Sequence, residues 1–580
     1  MFMLKLQLNL MNIILDENKN IVSMVAEDRL GLVSEDEEED CEDNIFYQPD
    51  TSIQLQPSHG LLYLASVSAA IGGVIFGYDV GVIAGARSQV AREMALHCTQ
   101  EELLVSLMPL GAVSSSLVSG RMMDSLGRRV TILATCLVFL AGALMMSLAS
   151  SLGLLLVGRF LVGAGVSLSA ISESCYISEI STAANRGRLV SLNELGITLG
   201  FLLAFIVDYT FMDVTAGWRV MFGLSGVMAV IQLILMSFMP ETPHFLVMNG
   251  RDLKAIAVMK KIHNIGGVVA QREVDKIKSE QKLEKNVSCS FICSSEDNLR
   301  SRLVVGLGLV LGQQLTGQPS LMMYAEDIAA SVGFCGATLS ALATVLLGAV
   351  KVAATVASLL LVDRLGRRTL LLAGVAAISL SLAVLVTTAS YTEVTAGLAA
   401  RHQPCREHQL AANLTSATGD AELCSPSSLP RHVSIISFIS LVTYITAYSV
   451  SFGPISWILL SELFPLGVKA RAMSLGQAVN WTANVVVSFS FMDMVHTFSL
   501  AAVFGFYLVM SLVSLVFIYF YVPETKNKSL EEICRELGQE ARGPAGGFQA
   551  RHKTLSPLPA VKTSTAIHQQ INMPLRVIQT

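Results

Sequence analysis

The stretch DSLGRR, at Asp124–Arg129, recurs in the second half of the chain as DRLGRR, at Asp363–Arg368. Two further motifs recur in the same order after these loops: ISEI around Glu179 and LSEL around Glu462, and PET at 240–242 and at 523–525. The later pairs are further apart than the first, and an insertion at about 392–431 accounts for the difference. The sequence therefore predicts two related halves, a pattern typical of transporters that bind a ligand between parallel repeats.

Long apolar segments separate these motifs. Of the 580 residues, 52% are hydrophobic and 15% are charged, and the mean hydropathy is +0.57. About 20 apolar residues span a bilayer core, and we identify twelve such segments, at about 60–85, 103–123, 130–150, 152–173, 188–208, 218–239, 301–323, 337–362, 369–391, 433–460, 472–493 and 499–522. Each is predicted to be a helix, because a lipid-exposed segment has to satisfy its own backbone hydrogen bonds. The fold class is therefore an all-α membrane protein with twelve transmembrane helices in two six-helix halves.

The distribution of Lys and Arg sets the orientation. Both repeated GRR loops follow even-numbered helices, whereas the short connections after odd-numbered helices carry few basic residues. Basic short loops face the cytoplasm. The predicted segments are a cytoplasmic acidic tail at 1–59, the first half at 60–239, a cytoplasmic loop at 240–299, the second half at 300–522 with an extracellular loop at 392–431, and a cytoplasmic tail at 523–580.

The extracellular loop carries two features of that compartment. Asn413-Leu414-Thr415 is a glycosylation sequon, and Asn413 is predicted to be modified. Cys405 and Cys424 lie in the same loop, where a disulfide between them is an open alternative to two free thiols.

Several classes of function find no support in the residues. The ten cysteines show no metal-ligand spacing, and neither a nucleophile–base constellation nor a phosphate-binding loop is present in the sequence. The acidic run at Ser34–Asp43 is interpreted as a solvated tail. We therefore predict no enzymatic activity, no metal, no cofactor and no nucleic-acid partner, and we expect a small solute and membrane lipid as the partners.

Opposite charges recur at the cytoplasmic ends of both halves. We predict a gate in which ion pairs join the halves when the cytoplasmic side closes and break when it opens; interfacial anchoring of single basic residues is the alternative. One exposed pair contributes only about 0–1 kcal/mol, but a network biases a two-state element by more. The gate residues are Asp124, Arg128, Arg129, Glu179, Arg186, Glu241, Asp363, Arg367, Arg368, Glu462, Lys469, Arg471 and Glu524.

These motifs together carry a resemblance to a known family. The paired GRR loops, the PET motifs, QQLTGQP at 313–319 and GPISW at 453–457 resemble the sugar-porter branch of the major facilitator superfamily. Lys351 in GAVKVAAT and the long extracellular loop are similar to the class III facilitative hexose transporters, the group of the type 10 and type 12 glucose transporters. The resemblance covers about residues 60–530 and implies hexose transport by alternating access, with D-glucose as the leading substrate.

Neutral hydrogen-bonding groups and aromatic faces suit a sugar, and helices 7, 10 and 11 supply both. By resemblance, Gln313, Gln314, Trp457 and Asn480 match sugar contacts of the family. The family glutamine of helix 5 is replaced by Glu194, the asparagine of helix 8 by Lys351, and the asparagine of helix 7 by Pro319 followed by Ser320. The predicted substrate site comprises Gln313, Gln314, Glu194, Lys351, Tyr324, Trp457, Asn480 and Ser320; helix–helix bonding is the alternative for each amide.

Glu194 and Lys351 are charges that an apolar medium disfavours unless they are paired. Their depths in the membrane differ by only about 8 Å at 1.5 Å of rise per residue. We therefore predict that they pair across the cavity and couple binding to closure. Separate hydration of each group is the alternative.

Asp79, in GYDVGVIAGA, and Arg159, in LVGRFLVG, lie within a turn of the same depth. An intramembrane acid is a functional candidate by default, and we predict that these two residues pair and that protonation of Asp79 releases helix 1. A static structural ion pair that never titrates and an Asp79 that faces water at the outer side are the alternatives. Proton-coupled members of the family carry Asp at this position and common uniporters carry Asn, so the resemblance leaves proton symport and facilitated diffusion as alternatives.

Other functions also stay open. Lys351 keeps an oxidised sugar or another polyol, such as dehydroascorbate, urate or inositol, as an alternative substrate. A transporter-derived nutrient sensor is the alternative from a different class. The expected location is the plasma membrane, endosomal or perinuclear membranes, or both.

Overall fold

The computed structural model describes residues 59–182, 185–284, 299–334, 336–396, 430–464 and 466–526. Within these ranges the backbone forms α-helices joined by short turns, with no β-strand. The predicted glycosylation site Asn413 and the two cysteines Cys405 and Cys424 lie outside the described residues.

The first half begins with a helix that is interrupted once. Val82 separates its two parts, and the Asp208 carboxylate accepts a hydrogen bond from the Gly85 backbone nitrogen just beyond the interruption, at 3.2 Å. The helices of this half are α1 (His59–Gly81), α2 (Ile83–Met94), α3 (Cys98–Leu126), α4 (Arg128–Ser147), α5 (Leu152–Ile180), α6 (Arg186–Phe211) and α7 (Gly217–Ser237).

Between the halves, the segment predicted only as a cytoplasmic loop contains three helices, α8 (Pro243–Met248), α9 (Asp252–His263) and α10 (Gly267–Glu284). They share a small apolar core of Leu246, Val247, Ala255, Met259, Ala270, Val274 and Ile277. Apolar residues at helical spacing on otherwise charged helices explain why these three helices pack together.

The second half contains two interrupted helices. Predicted helix 7 is broken at Gly317, which has φ +91° and is followed by Pro319 in the next turn, and again at Tyr324. The helices are α11 (Leu299–Leu315), α12 (Gln318–Met323), α13 (Ala325–Ser331), α14 (Ala337–Leu365), α15 (Arg367–Ala396), α16 (Arg431–Val450), α17 (Phe452–Glu462), α18 (Leu466–Thr497) and α19 (Leu500–Tyr521).

Ten helices in the described ranges are long and apolar enough to cross a membrane by length and composition. The two other predicted spans are present as α11–α13 and α18. The first is broken into three short helices, and the second carries the polar residues Asn480 and Asn484. These two spans hold five of the eight residues of the predicted substrate site, namely Gln313, Gln314, Ser320, Tyr324 and Asn480.

The inner corners of the two halves have the same construction. Gly127 between α3 and α4 has φ +96°, and Gly366 between α14 and α15 has φ +92°. In the first half, Glu241 of the PET motif accepts a hydrogen bond from the Arg129 backbone nitrogen, at 3.0 Å. In the second, Glu524 accepts from the backbone nitrogens of Arg367 and Arg368, at 2.9 and 3.1 Å. Each glutamate thus satisfies the free N–H groups that begin the following helix.

Candidate functional site

Three amide side chains from α11 and α18 form a connected cluster. The Gln314 Nε2 donates to Asn480 Oδ1 at 2.5 Å, and Asn484 Nδ2 donates to Gln314 Oε1 at 3.4 Å. All three residues are buried. Helix α11 ends at Leu315, so Gln314 lies in its last turn and not in its middle.

Gln313 lies beside this cluster with a different environment. Its Oε1 is buried and has no hydrogen-bond partner among the described residues. Tyr448 of α16 lies within hydrogen-bonding reach of its side chain. A buried amide oxygen that lacks a partner costs about 1–3 kcal/mol, and an incoming hydroxyl donor can remove that cost. Gln313 is therefore the predicted site residue best prepared for a ligand.

Two tryptophans lie on α17 and α18, and one of them follows Asn480 directly in the chain. Trp481 of α18 is buried, and its ring centroid lies 5.7 Å from that of Phe76 on α1, so this contact joins the two halves. The indole Nε1 of Trp481 has no partner among the described residues. Trp457, on α17, is half-buried against the main core.

Ser320 and Tyr324, both in the predicted substrate site, have their hydroxyls bonded to protein groups in this conformation. The Ser320 hydroxyl donates to the Val487 carbonyl at 3.1 Å and accepts from Tyr507 at 3.0 Å. The Tyr324 hydroxyl donates to the Ser488 carbonyl at 3.4 Å. Both side chains are fully buried and bonded to protein, since the broken helix 7 is held to α18 and α19 at this level.

Lys351 and Glu194 do not form the predicted direct pair in this conformation. The Lys351 ammonium lies over two rings, 4.6 Å from the Phe201 centroid and 5.8 Å from the Tyr448 centroid. Two ring faces stabilise a buried ammonium without a carboxylate in contact. Glu194 acts on Lys351 only through space, and its Oε1 approaches Gly453 of α17.

Asp79 and Arg159 are adjacent, but not through the predicted carboxylate. The Arg159 Nη1 donates to the backbone carbonyl oxygen of Asp79 at 3.0 Å. This carbonyl belongs to the last turn of α1, where such groups need external donors. Neither carboxylate oxygen of Asp79 has a hydrogen-bond partner in the described ranges, because the neighbouring Ser225 hydroxyl donates to Phe222.

An ionic contact that the sequence reasoning missed joins the halves at the outer side. Arg87 of α2 pairs with Glu101 of α3 at 2.5 Å and also with Asp327 of α13. Its guanidinium lies 5.3 Å from the Tyr324 ring centroid. The acids at the start of α3 and in α13 were the signal in the sequence, but only the fold brings these distant segments together.

The predicted cytoplasmic charges of the first half form contacts within that half. Arg128 Nε lies 2.9 Å from Glu179 Oε1, and Arg128 Nη1 lies 3.6 Å from Asp124 Oδ1. The Arg129 guanidinium donates to the Met236 carbonyl at 3.2 Å, and that of Arg186 donates to the Ser178 carbonyl at 3.1 Å.

The second half repeats this arrangement. Arg367 Nη2 lies 3.4 Å from Glu462 Oε1, and Thr525 donates to the other Glu462 oxygen at 2.6 Å. The Arg368 guanidinium donates to the Tyr519 carbonyl at 2.6 Å. Arg471 is exposed. The side chains of Asp363 and Lys469 lie outside the described residues.

The two ends of the helices therefore differ in whether an ion pair joins the halves. In the part of the chain that the structure describes, the Arg87–Asp327 pair links the halves at the end predicted to be outer. At the end predicted to be cytoplasmic, the Arg128–Glu179 and Arg367–Glu462 pairs each stay inside one half. This is the arrangement expected of a transporter that is closed on its outer side. The predicted cytoplasmic pairs between halves stay a prediction for the opposite conformation.

Comparison with known proteins gives consistent matches over most of the chain. The model of the family "Sugar (and other) transporter" matches residues 65–537. The mouse facilitated glucose transporter member 12 of solute carrier family 2 is 36% identical over 82% of this chain and 85% of its own length. The human member 10 is 36% identical over 85% of this chain and 94% of its own length.

Solved structures share the fold. The inward-open form of the xylose transporter XylE from E. coli superimposes with a TM-score of 0.64 at 24% identity, covering 81% of this chain and 99% of that one. The XylE complex with 6-bromo-6-deoxy-D-glucose gives 0.65 at 24% identity, covering 83% and 99%. The two-half helical architecture described above is thus that of the major facilitator superfamily.

Proposed function

Since the chain belongs to the sugar transporter family, with class III facilitated glucose transporters as relatives, we propose that it moves a hexose, most directly D-glucose, across a membrane by alternating access. The observation that supports this substrate class is the amide cluster of Gln314, Asn480 and Asn484 at the break in helix 7, with the unbonded Oε1 of Gln313 beside it. Neutral amides with unused hydrogen-bonding capacity suit sugar hydroxyls, and the neighbouring Trp481 ring offers an apolar face. The proposal is transport of the sugar without chemical conversion.

Countertransport in vesicles tests this proposal. Purified protein is reconstituted, loaded with unlabelled D-glucose and supplied with trace labelled sugar; we expect accumulation of label that unlabelled D-glucose outside competes away. Gln313→Leu should raise the half-saturating concentration of sugar, because the leucine offers no acceptor to a hydroxyl. The matched control is Gln271→Leu, at an exposed glutamine on α10 whose side chain donates a hydrogen bond to Asp275. Absence of sugar-dependent accumulation in the wild type refutes the proposed substrate class, and it also fits a nutrient sensor that binds without flux.

We propose that Asp79 couples the cycle to a proton. Its carboxylate is fully buried and has no bonding cation, which disfavours the ionised form in this conformation. In the coupled mode, outer protonation of Asp79 precedes closure of the outer side, and inward opening returns the proton to the cytoplasm. Wild-type uptake should then rise when the outer solution is acidified, and Asp79→Asn should remove the dependence. Equal uptake by both proteins at acidic and neutral pH would leave facilitated diffusion as the mechanism.

An anionic or oxidised sugar is the second candidate substrate, because Lys351 places a buried cation beside the site. Lys351→Asn should then weaken competition by an anionic sugar more than competition by D-glucose. The double variant Glu194→Gln, Lys351→Asn tests their coupling. If its loss equals the sum of the losses of the single variants, the two residues act independently. We place the protein in the plasma membrane or endosomal membranes, which fluorescence microscopy of the tagged full chain tests.

A further inference from the structure

A further intramembrane carboxyl group of the first half lies at Glu173 of α5. The residue is 1% exposed. Its Oε1 accepts hydrogen bonds from the Ser169 hydroxyl at 2.5 Å and from the Gln232 Nε2 at 2.9 Å. Its Oε2 is buried and has no partner among the described residues. Both hydrogen bonds thus go to Oε1, and Oε2 has none among the described residues.

Among the described residues, Glu173 has polar neighbours but no cation in contact. The Gln232 side chain of α7 also donates to the Ala69 carbonyl of α1 at 3.3 Å, and its Oε1 accepts from the Cys136 thiol of α4 at 3.4 Å. In the described part of the chain, the Cys136 thiol is the titratable group that faces the carboxyl from another helix. The Gln232 side chain of α7 therefore connects Glu173 of α5 with α1 and α4.

The contact with α1 is unusually close. A Cβ atom on Gly72 would lie 1.6 Å from Glu173 Oε1 and 2.6 Å from Oε2. Both carboxyl oxygens therefore occupy the space that a side chain at position 72 would take, and water has no room between them and α1. An ionised carboxylate loses its hydration in such a position, and two neutral donors on one oxygen do not replace a cation.

We propose that Glu173 binds a proton in this conformation and is a second protonatable group of the transport cycle, with its proton exchanged on the cytoplasmic side. The carboxyl lies seven residues from Ile180, the inner end of α5, or about 10 Å along the helix. Loss of the proton converts the carboxylic acid to a carboxylate, and the proton passes to cytoplasmic water. The carboxylate then requires water or a donor at Oε2, so α1 has to separate from α5. Glu173 is thus a positioning residue for α1 and not a contact of the sugar.

Thermal unfolding in detergent tests the protonation without any assumption about transport. Glu173→Gln keeps an acceptor for Ser169 and Gln232 but cannot ionise. In unfolded chain a glutamate ionises near pH 4.3, so the wild type must take up a proton on folding at neutral pH. We expect the variant to gain stability over the wild type as the pH rises from mildly acidic to alkaline. Asp213→Asn, which removes an exposed carboxylate of the outer loop, should show no such trend. A stability difference that does not change with pH overturns the proposal.

Transport supplies the second readout, and this arm rests on the proposed function. Wild-type countertransport should slow several-fold as the solution on the cytoplasmic side becomes alkaline, whereas Glu173→Gln should stay nearly constant. Asp79→Asn should lose the response to outer pH and keep this inner dependence, so a failure of the Asp79 proposal is distinguishable from a failure of the Glu173 proposal. If Glu173→Gln does not fold, infrared spectroscopy of the wild type and of Asp79→Asn at neutral pH replaces it. A non-ionised carboxyl band retained in both supports the proposal, and its absence overturns it.

Discussion

Replacing Asp327 with asparagine should open the outer side of the transporter. Arg87 contacts two acids that differ in position: Glu101 belongs to the same half, whereas Asp327 belongs to the other. The Arg87–Glu101 pair therefore persists when the halves separate, and the Arg87–Asp327 pair exists only while the outer side is closed. Asp327→Asn removes the second contact and retains the first.

The magnitude follows from the exposure of the partners. The side chains of Arg87 and Glu101 are 6% and 4% exposed, but that of Asp327 is 41% exposed. Water screens a pair with one half-exposed member, so we assign the contact about 1–2 kcal/mol, above a surface pair and below a buried one. The ratio of outer-open to outer-closed molecules should rise by about 5–30-fold.

Spin labels measure this ratio. Cysteines at Arg92 of α2 and Ser331 of α13, both exposed and on opposite halves, report the outer separation by double electron–electron resonance in a background without other reactive thiols. Asp327→Asn should move population to the longer distance. The matched control Glu101→Gln should lower thermal stability and leave the distances unchanged. An equal shift in both variants, or none in Asp327→Asn, would refute the assignment of Arg87 as the link between halves.

Three further predictions concern other parts of the molecule. Gly127→Ala should lower the unfolding temperature more than Gly250→Ala. Both glycines have positive φ, but a Cβ added at Gly127 would lie 2.6 Å from the Glu241 carboxylate, whereas a Cβ added at Gly250 would meet nothing within 4 Å. His263 of α9 is buried, and burial lowers its pKa. Below about pH 6.5, His263 binds a proton in the unfolded chain but not in the folded one, so acidification favours unfolding. Helix α9 should therefore lose hydrogen-exchange protection on acidification in the wild type but not in His263→Gln. Gln314→Ala should weaken sugar binding in equilibrium titrations by more than its lost contact, because Asn480 loses the donor it now accepts from; equal affinity would contradict the amide cluster.

The sequence predicts the architecture because the membrane imposes few alternatives. Long apolar segments have to be helical, and the repeated GRR and PET motifs mark where each half begins and ends its cytoplasmic connections. The inner corners at Gly127 and Gly366 follow from these repeats. The helices of the segment at 240–299 were missed because their apolar residues are few and alternate with charges, and only their mutual packing makes the pattern visible.

The site was less predictable, because depth along a helix does not specify which face a side chain occupies. Depth alone correctly places Arg159 beside Asp79, yet the guanidinium bonds the backbone carbonyl and not the carboxylate. Depth also brings Lys351 near Glu194, but two aromatic rings take the ammonium. Arg87 and Asp327 lie far apart in the chain, and their contact required the folded outer ends of both halves.

The inner corner of the first half has a consequence for biosynthesis. The residues that form it all lie between 124 and 241: the glycine, the paired charges and the glutamate that accepts from the start of α4. These contacts can therefore form before the second half is present. As the chain leaves the ribosome, the first six helices can lock their cytoplasmic connections before the later helices are translated. The second half, which forms the equivalent corner from residues 363–525, then packs against a first half that has already folded. A chain interrupted between the halves should therefore yield two fragments that associate into a working protein when they are coexpressed.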